Sequence, residues 1–190
     1  MTLGFALGLA AGGLMSGLAW KLPPLGHLEG RIVERINGAQ WPAWIDQALH
    51  WAHPLGTKWA FLAGLLLLAG LRFHGAPALG LAALSLALVE RGVKLAVKRP
   101  RPFEVVDAVH MRQSFQPGDP SFPSGDAARV GFLLSASATG LPHLPALTWA
   151  LLLMALLVCA GRLRLGVHYL SDVWAGSLLG LGCGALWAAL

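Results

Sequence analysis

The side chains able to do chemistry fall in three short stretches. In "ERGVKLAVKRPRP" (90–102), Glu90, Lys94 and Lys98 recur every four residues, one face of a helix, before Arg99, Arg101 and two prolines end it. In "DPSFPSGDAARVGFLL" (119–134), Pro and Gly set a turn and a helix begins behind it. A helix start at Ser124-Gly125 offers free backbone N–H groups and the positive end of the helix dipole. That is an anion site, to which Ser124 adds a hydroxyl donor. In "AGRLRLGVHYLSD" (160–172), Arg162, Arg164, His168 and Asp172 approach and enter the last apolar run. His168 and Asp172 are four apart, so on a helix they share a face. The carboxylate then fixes the imidazole tautomer and leaves the other nitrogen free as a nucleophile.

Each stretch alone has a plainer reading: a basic helix stop, a helix cap, a structural His–Asp contact. Together they supply a lysine, at least two arginines, an anion-binding helix start and a His–Asp pair. That set suits phosphate, whose oxygens the planar guanidinium fork binds two at a time. The sequence has no ligand cluster of the zinc or magnesium kind, so neither a metal nor a cofactor is expected.

The elements that must position these groups are apolar. Of 190 residues, 56% are hydrophobic and 12% charged, where a soluble domain carries roughly a quarter charged residues. Six runs long enough to cross a membrane lie near 3–20, 57–73, 75–97, 127–142, 144–161 and 167–190. The expected fold is therefore all-α: one polytopic membrane domain over 1–190 with six transmembrane helices. Segment 21–56 repeats Leu28, Ile32 and Ile36 at helical spacing and carries Trp41, Trp44 and Trp51. It is expected to form one or two amphipathic helices at the interface, ahead of a catalytic core at 57–190. Cys159 and Cys183 sit inside apolar runs and read as core residues, not a disulfide. With these spans, all nine acidic residues and every Lys or Arg except Arg72 fall on the long-loop side. A net charge of +5 concentrated there serves a membrane face and a phosphate, not a nucleic acid.

Lys94, six residues, then Arg101-Pro102; Pro123-Ser124-Gly125; Arg162, five residues, His168, three residues, Asp172: this order resembles the three-part signature of the type 2 phosphatidic-acid phosphatase superfamily. The resemblance covers roughly 57–190. It implies six-helix membrane lipid phosphatases in which His168 forms a phosphohistidine, Asp172 orients it, and Lys94, Arg101, Ser124, Gly125 and Arg162 bind phosphate. Soluble vanadate-holding relatives are disfavoured by the six spans. The family's serine before Arg162 is Gly161 here, and its Pro-Ser-Gly-His motif ends in Asp126. The missing histidine is the acid that protonates the leaving alkoxide. Asp126 can replace it if its carboxyl stays protonated. Alternatively the substrate is a lipid diphosphate, whose leaving group needs no proton, or the site binds lipid phosphate without turnover. His110, in the loop between the first two stretches, is a further candidate acid. A phosphotransferase using a second lipid as acceptor is the alternative within enzymes.

The expected partners are a lipid phosphate and the surrounding membrane lipids, in a bacterial inner membrane. Charge bias places the active-site face in the cytoplasm, whereas the resemblance places it in the periplasm. Spacings such as Gly176 to Gly180 suit either a dimer or helix packing within one bundle, leaving the oligomeric state open.

Overall fold

In the computed structural model, which describes residues 2–189, every regular element is a helix. Helix α1 (Leu3–Gly17) is capped by Thr2 and runs into a 3-10 turn at Leu18–Lys21. Two helices follow, α2 (Pro23–Gly38) and α3 (Ala43–Ala52), and a second 3-10 turn at His53–Gly56. Next come α4 (Lys58–Leu71), α5 (Ala76–Val97) and the single turn α6 (Pro102–Val105). The chain ends with α7 (Gly125–Gly140), α8 (Pro145–Arg164) and α9 (Leu170–Ala189). Proline opens α2, α5, α6 and α8, where its missing N–H costs nothing.

The six expected runs coincide with α1, α4, α5, α7, α8 and α9. The last begins at Leu170, not at 167, and Leu190 lies outside the described residues. Among the described residues, two helices are long and apolar enough to cross a membrane, Leu3–Lys21 and Pro145–Arg164. Ala43–Gly56 and Lys58–Leu71 pass the same test only as a pair bent by 65°, a third span if the pair is counted as one. Helices α4 and α7 have 14 and 16 residues, below the roughly 17–25 of a straight span. Helices α5 and α9 carry ionisable side chains within their length, Glu90, Arg91 and Lys94 in one and Asp172 in the other. The count of six is thus not reached by length and apolarity.

Helix α9 is the central post, packed between α1 and α7. Its Gly176, Gly180 and Gly184 recur every four residues against the carbonyls of Ser124, Ala128 and Phe132, where a Cβ would overlap the α7 backbone. The glycine stripe is therefore used inside the bundle. Beyond it Leu68, Leu79, Leu86, Phe132, Leu179 and Trp187 form the core at the end remote from the charged loops. Phe5 and Met15 on α1, Leu66 on α4, Leu84 and Leu88 on α5, and Trp149, Leu153 and Leu156 on α8 stand exposed. Apolar side chains displayed on this many outer helices suit a hydrocarbon surrounding. The chain is an integral membrane protein.

The expected amphipathic segment is helical, but its packed face differs from the Leu28, Ile32, Ile36 stripe. Val33 and Asn37 are buried, with Glu29 and Gly30 partly buried beside them, while Leu25 and Leu28 remain exposed. Polar groups decide the orientation. Asn37 donates to the carbonyls of His110 and Arg164, both at 2.9 Å, and accepts from the His110 amide at 2.9 Å. Arg164 donates to the carbonyls of Ile36, Asn37 and Ala39 at the end of α2 and forks onto Asp46 of α3. Of the apolar stripe, Leu28 is left outward, free to meet lipid, while Ile32 and Ile36 are partly buried at the edge of the packed face.

Candidate active site

Lys98 ends α5 in the left-handed region at φ 50° and is exposed, so it does not extend the Glu90–Lys94 face. The reversal turns Arg99 and Arg101 back into the bundle, where both are 3% exposed. Gly166, at φ 71°, makes the corresponding turn after α8; a Cβ there would meet Val109 Cγ1 at 2.8 Å and the His110 carbonyl at 2.9 Å. His168 therefore sits in the loop ahead of α9 and not on the helix, yet its Nδ1 is 3.6 Å from Asp172 Oδ2.

Asp172 is fully buried and fully engaged. Oδ2 accepts from the Ser121 hydroxyl and, at 2.8 Å, from the Tyr169 amide; Oδ1 accepts from Arg99 Nη1 at 2.6 Å. Arg99 is held in turn by Glu29 of α2 at 2.7 Å and lies over the Tyr169 and Trp20 rings, 3.8 and 4.4 Å from their centroids. With Nδ1 directed at Asp172, His168 presents Nε2 to the cleft, where Arg101 Nη1 lies 3.3 Å away. Burial pulls the imidazole down to about 4; Asp172 opposes this, and the Arg101 and Lys94 charges add to it. The ring is neutral at pH 7, with a lone pair to offer.

A cleft of about 340 Å³ brings Lys94, Arg101, Gly125, Asp126, Arg162 and His168 together. Ser124 is buried beneath it and caps α7, accepting from the Ala127 amide at 3.5 Å. A Cβ on Gly125 would overlap Glu90 Oε1, so a side chain there would displace that carboxylate. Arg162 is 3% exposed and ion-paired to Asp126, but its Nε and Nη2 are buried with no acceptor among the described residues. Two buried donors without partners are expensive unless a ligand completes them. Asp126 has both oxygens occupied, Oδ1 by Arg129 at 2.7 Å and Oδ2 by Arg162. His110 is fixed through its backbone to Asn37 and does not line the cleft.

Three contributors were not legible as site residues. Asp119 bridges Lys94 and Arg101, the latter at 2.8 Å, occupying cations expected to hold phosphate. Burial works against its charge, but Lys94 and then Arg101 hold its carboxyl below the usual carboxylate range. Arg99 looked like part of a basic stop and proves to be the cation behind Asp172. His53, far upstream, lines the cleft wall. Among the described residues no group of three or more His, Cys, Asp or Glu converges as a metal site would require.

A second cavity of about 340 Å³ shares Lys58, Glu90, Lys94, Asp119 and Arg129 with the first. It continues along α4 and α5 past Phe61, Leu86, Ala87 and Leu95. A polar cleft thus opens sideways into an apolar groove.

The profile of the PAP2 superfamily matches residues 75–190. No curated protein matches the chain. The fold is similar to the crystal structure of a transmembrane PAP2-type phosphatidylglycerolphosphate phosphatase from Bacillus subtilis, with TM-score 0.78 and 21% identity, over 96% of this chain and 93% of that one. It is also similar to LpxE from Aquifex aeolicus, with TM-score 0.71 and 26% identity, over 83% of this chain and 92% of that one.

Proposed function

Because this chain belongs to the PAP2 superfamily, we propose that it is a membrane lipid phosphatase that works through a phosphohistidine at His168. Nε2 attacks phosphorus, and the P–O bond to the lipid breaks as the P–N bond forms. Asp172 holds the ring through Nδ1 and steadies the positive charge it gains. Lys94, Arg101, Arg162 and the Gly125 amide at the start of α7 take the charge developing on the phosphoryl oxygens. Water then cleaves the P–N bond and releases orthophosphate.

Arg162 carries the proposal: two buried donors without acceptors, in a wall shared with His168, call for a tetrahedral anion. The groove between α4 and α5 favours a substrate with acyl or prenyl chains, drawn from the bilayer beside its phosphate. The Bacillus subtilis neighbour acts on a phosphatidylglycerolphosphate by its description, and that headgroup joins the candidate set; at this identity only its fold carries over. Helices α1, α4, α5, α7, α8 and α9 are proposed as six membrane helices, with α2 and α3 at the interface.

The test is phosphate release by purified protein in detergent from phosphatidic acid, phosphatidylglycerophosphate, phosphorylated polyprenyl sugars and polyprenyl diphosphate. At least one should be hydrolysed without an added acceptor, with an acid-labile phosphoenzyme trapped on quenching. His168→Ala should lose about 10³-fold or more. Silence on every lipid, with phosphate still raising the melting temperature of His168→Ala, would make the protein a binder.

A further inference from the structure

Expelling an alkoxide from a phosphate monoester requires a proton, and Asp126 has both oxygens committed to arginines. Of the other side chains of suitable chemistry lining the cleft, Glu90 is ion-paired to Lys94 and Arg129 and Asp119 to Lys94 and Arg101, which leaves the histidine other than the nucleophile. His53 lies on its wall, contributed by the 3-10 turn between α3 and α4. That turn is pressed onto the start of α7: a Cβ on Gly56 would lie 2.8 Å from Asp126 Cβ, and Arg129 Nη1 donates to the Gly56 carbonyl at 3.2 Å. His53 is thereby fixed next to the position from which Asp126 was expected to act.

The ring is also oriented. His53 Nε2 is 3.1 Å from Gln113 Oε1, and the Gln113 amide nitrogen donates to the Phe115 carbonyl at 2.6 Å. With its nitrogen so used, the Gln113 amide turns its oxygen toward the imidazole. Nε2 must then carry a hydrogen, which leaves Nδ1 as the exchangeable site. Gln113 accepts from the ring in either protonation state, so the imidazole keeps its anchor as it charges and discharges. Burial and the Arg162 charge hold it below the ordinary imidazole value against Asp126, and the negative charge of a bound phosphate favours the imidazolium.

We propose that His53 is the general acid and base of this site, in the place of the histidine that Asp126 displaces. The inference rests on the phosphatase reading above. As His168 Nε2 bonds to phosphorus and the lipid P–O bond breaks, the His53 imidazolium passes its Nδ1 proton to the departing oxygen. The lipid leaves as a neutral alcohol, and His53 is left uncharged. In the second step His53 takes a proton from the water that attacks the phosphohistidine. The P–N bond breaks, orthophosphate departs, and the imidazolium is restored. Asp126 keeps Arg162 and Arg129 in place, a positioning role. Lipid monoesters are then substrates as well as diphosphates.

The experiment compares leaving groups. His53→Gln and His53→Ala are assayed beside the unaltered protein on phosphatidic acid or phosphatidylglycerophosphate and on 4-nitrophenyl phosphate, whose leaving group departs without a proton. The single-turnover rate at which the lipid monoester phosphorylates the enzyme should fall by about 100-fold or more, the range for loss of a general acid. Phosphorylation by 4-nitrophenyl phosphate, read as the burst of nitrophenolate, should stay within a few-fold. Hydrolysis of the phosphohistidine, where His53 is the base, slows with both. A retained nitrophenolate burst doubles as proof of folding. Equal slowing of phosphorylation by both substrates, or no slowing with the lipid, would overturn the assignment, as would unaltered protein that hydrolyses diphosphates alone. An unaltered protein that releases phosphate from nothing would overturn the phosphatase reading together with it.

Discussion

The cations of the cleft are already answered by carboxylates of the chain itself. Asp119 spans Lys94 and Arg101, and Asp126 spans Arg162 and Arg129, so an arriving phosphate must displace at least the first. The Asp119 side chain is half exposed, which limits each of its pairs to the modest strength of a solvated one. Asp119→Asn should therefore tighten inhibition by orthovanadate about three- to tenfold. A weaker inhibition would mean that Asp119 instead positions the cations for phosphate. His168 offers a second check at this scale. Its depressed value means that protonation favours the unfolded chain, so its contribution to stability is present above about 6.5 and lost as pH falls toward about 4. In ¹⁵N-histidine spectra, assigned with His168→Gln, the ring should stay neutral to pH 5 and titrate near 4; a midpoint at 6.5 would refute the buried neutral nucleophile. The spacing of Lys94, Arg101, Arg162, His168 and Asp172 was readable because each spacing suits a helix end or a turn. Asp119, Arg99 and His53 were not, because a lone residue in a loop, a basic stop or a distant turn shows its partner only once the chain has closed.

Between elements, one chain of contacts joins the interfacial helix to the nucleophile. Glu29 of α2 holds Arg99 and accepts from the Ser171 amide at 2.7 Å; Arg99 holds Asp172; and Asp172 orients His168. Arg99 needs its fork to reach Glu29 and Asp172 together, so Arg99→Lys should keep the fold and cost about 10²-fold in kcat with KM little changed. Arg99→Ala leaves the Asp172 charge buried and unpaired and should cost about 3–5 kcal/mol of stability by thermal or denaturant melting. The same network explains why α2 was only half legible. Its periodicity announced a helix, but the side facing the protein is chosen by Glu29 and Asn37, which have partners there, and not by Leu28. Helix α9 reads more directly. Its glycines at every fourth position admit the α7 backbone, and Gly180→Val should cost roughly 1–3 kcal/mol or more through overpacking.

For the molecule as a whole, the asymmetry of charge outlasts the assignment of individual residues. Lys94, Arg99, Arg101, Arg162 and Arg164 are consumed by ion pairs or by the cleft. Setting them aside still leaves Lys21, Arg31, Arg35, Arg91, Lys98 and Arg112 around the site-bearing end. At the opposite end Arg72 donates to the Gly140 carbonyl at 3.4 Å and lies 5.3 Å from the centroid of the Trp187 ring, in the turn region that joins α4 to α5. A cation excess in short segments holds its side of the membrane in the cytoplasm during insertion, and acidic neighbours offset it little. The site is accordingly expected to face the cytoplasm and to meet newly made lipid phosphates. Two exposed positions report this, Arg35 at the site end and His74 at the other. With Cys159 and Cys183 replaced by alanine, His74→Cys should react with a membrane-impermeant maleimide in intact cells, and Arg35→Cys only after permeabilisation. The reverse pattern would turn the cleft outward, toward lipid phosphates recycled on the far side. The surplus cations would then serve to gather anionic headgroups around α2, whose exposed Leu25 and Leu28 would rest among the acyl chains of that leaflet.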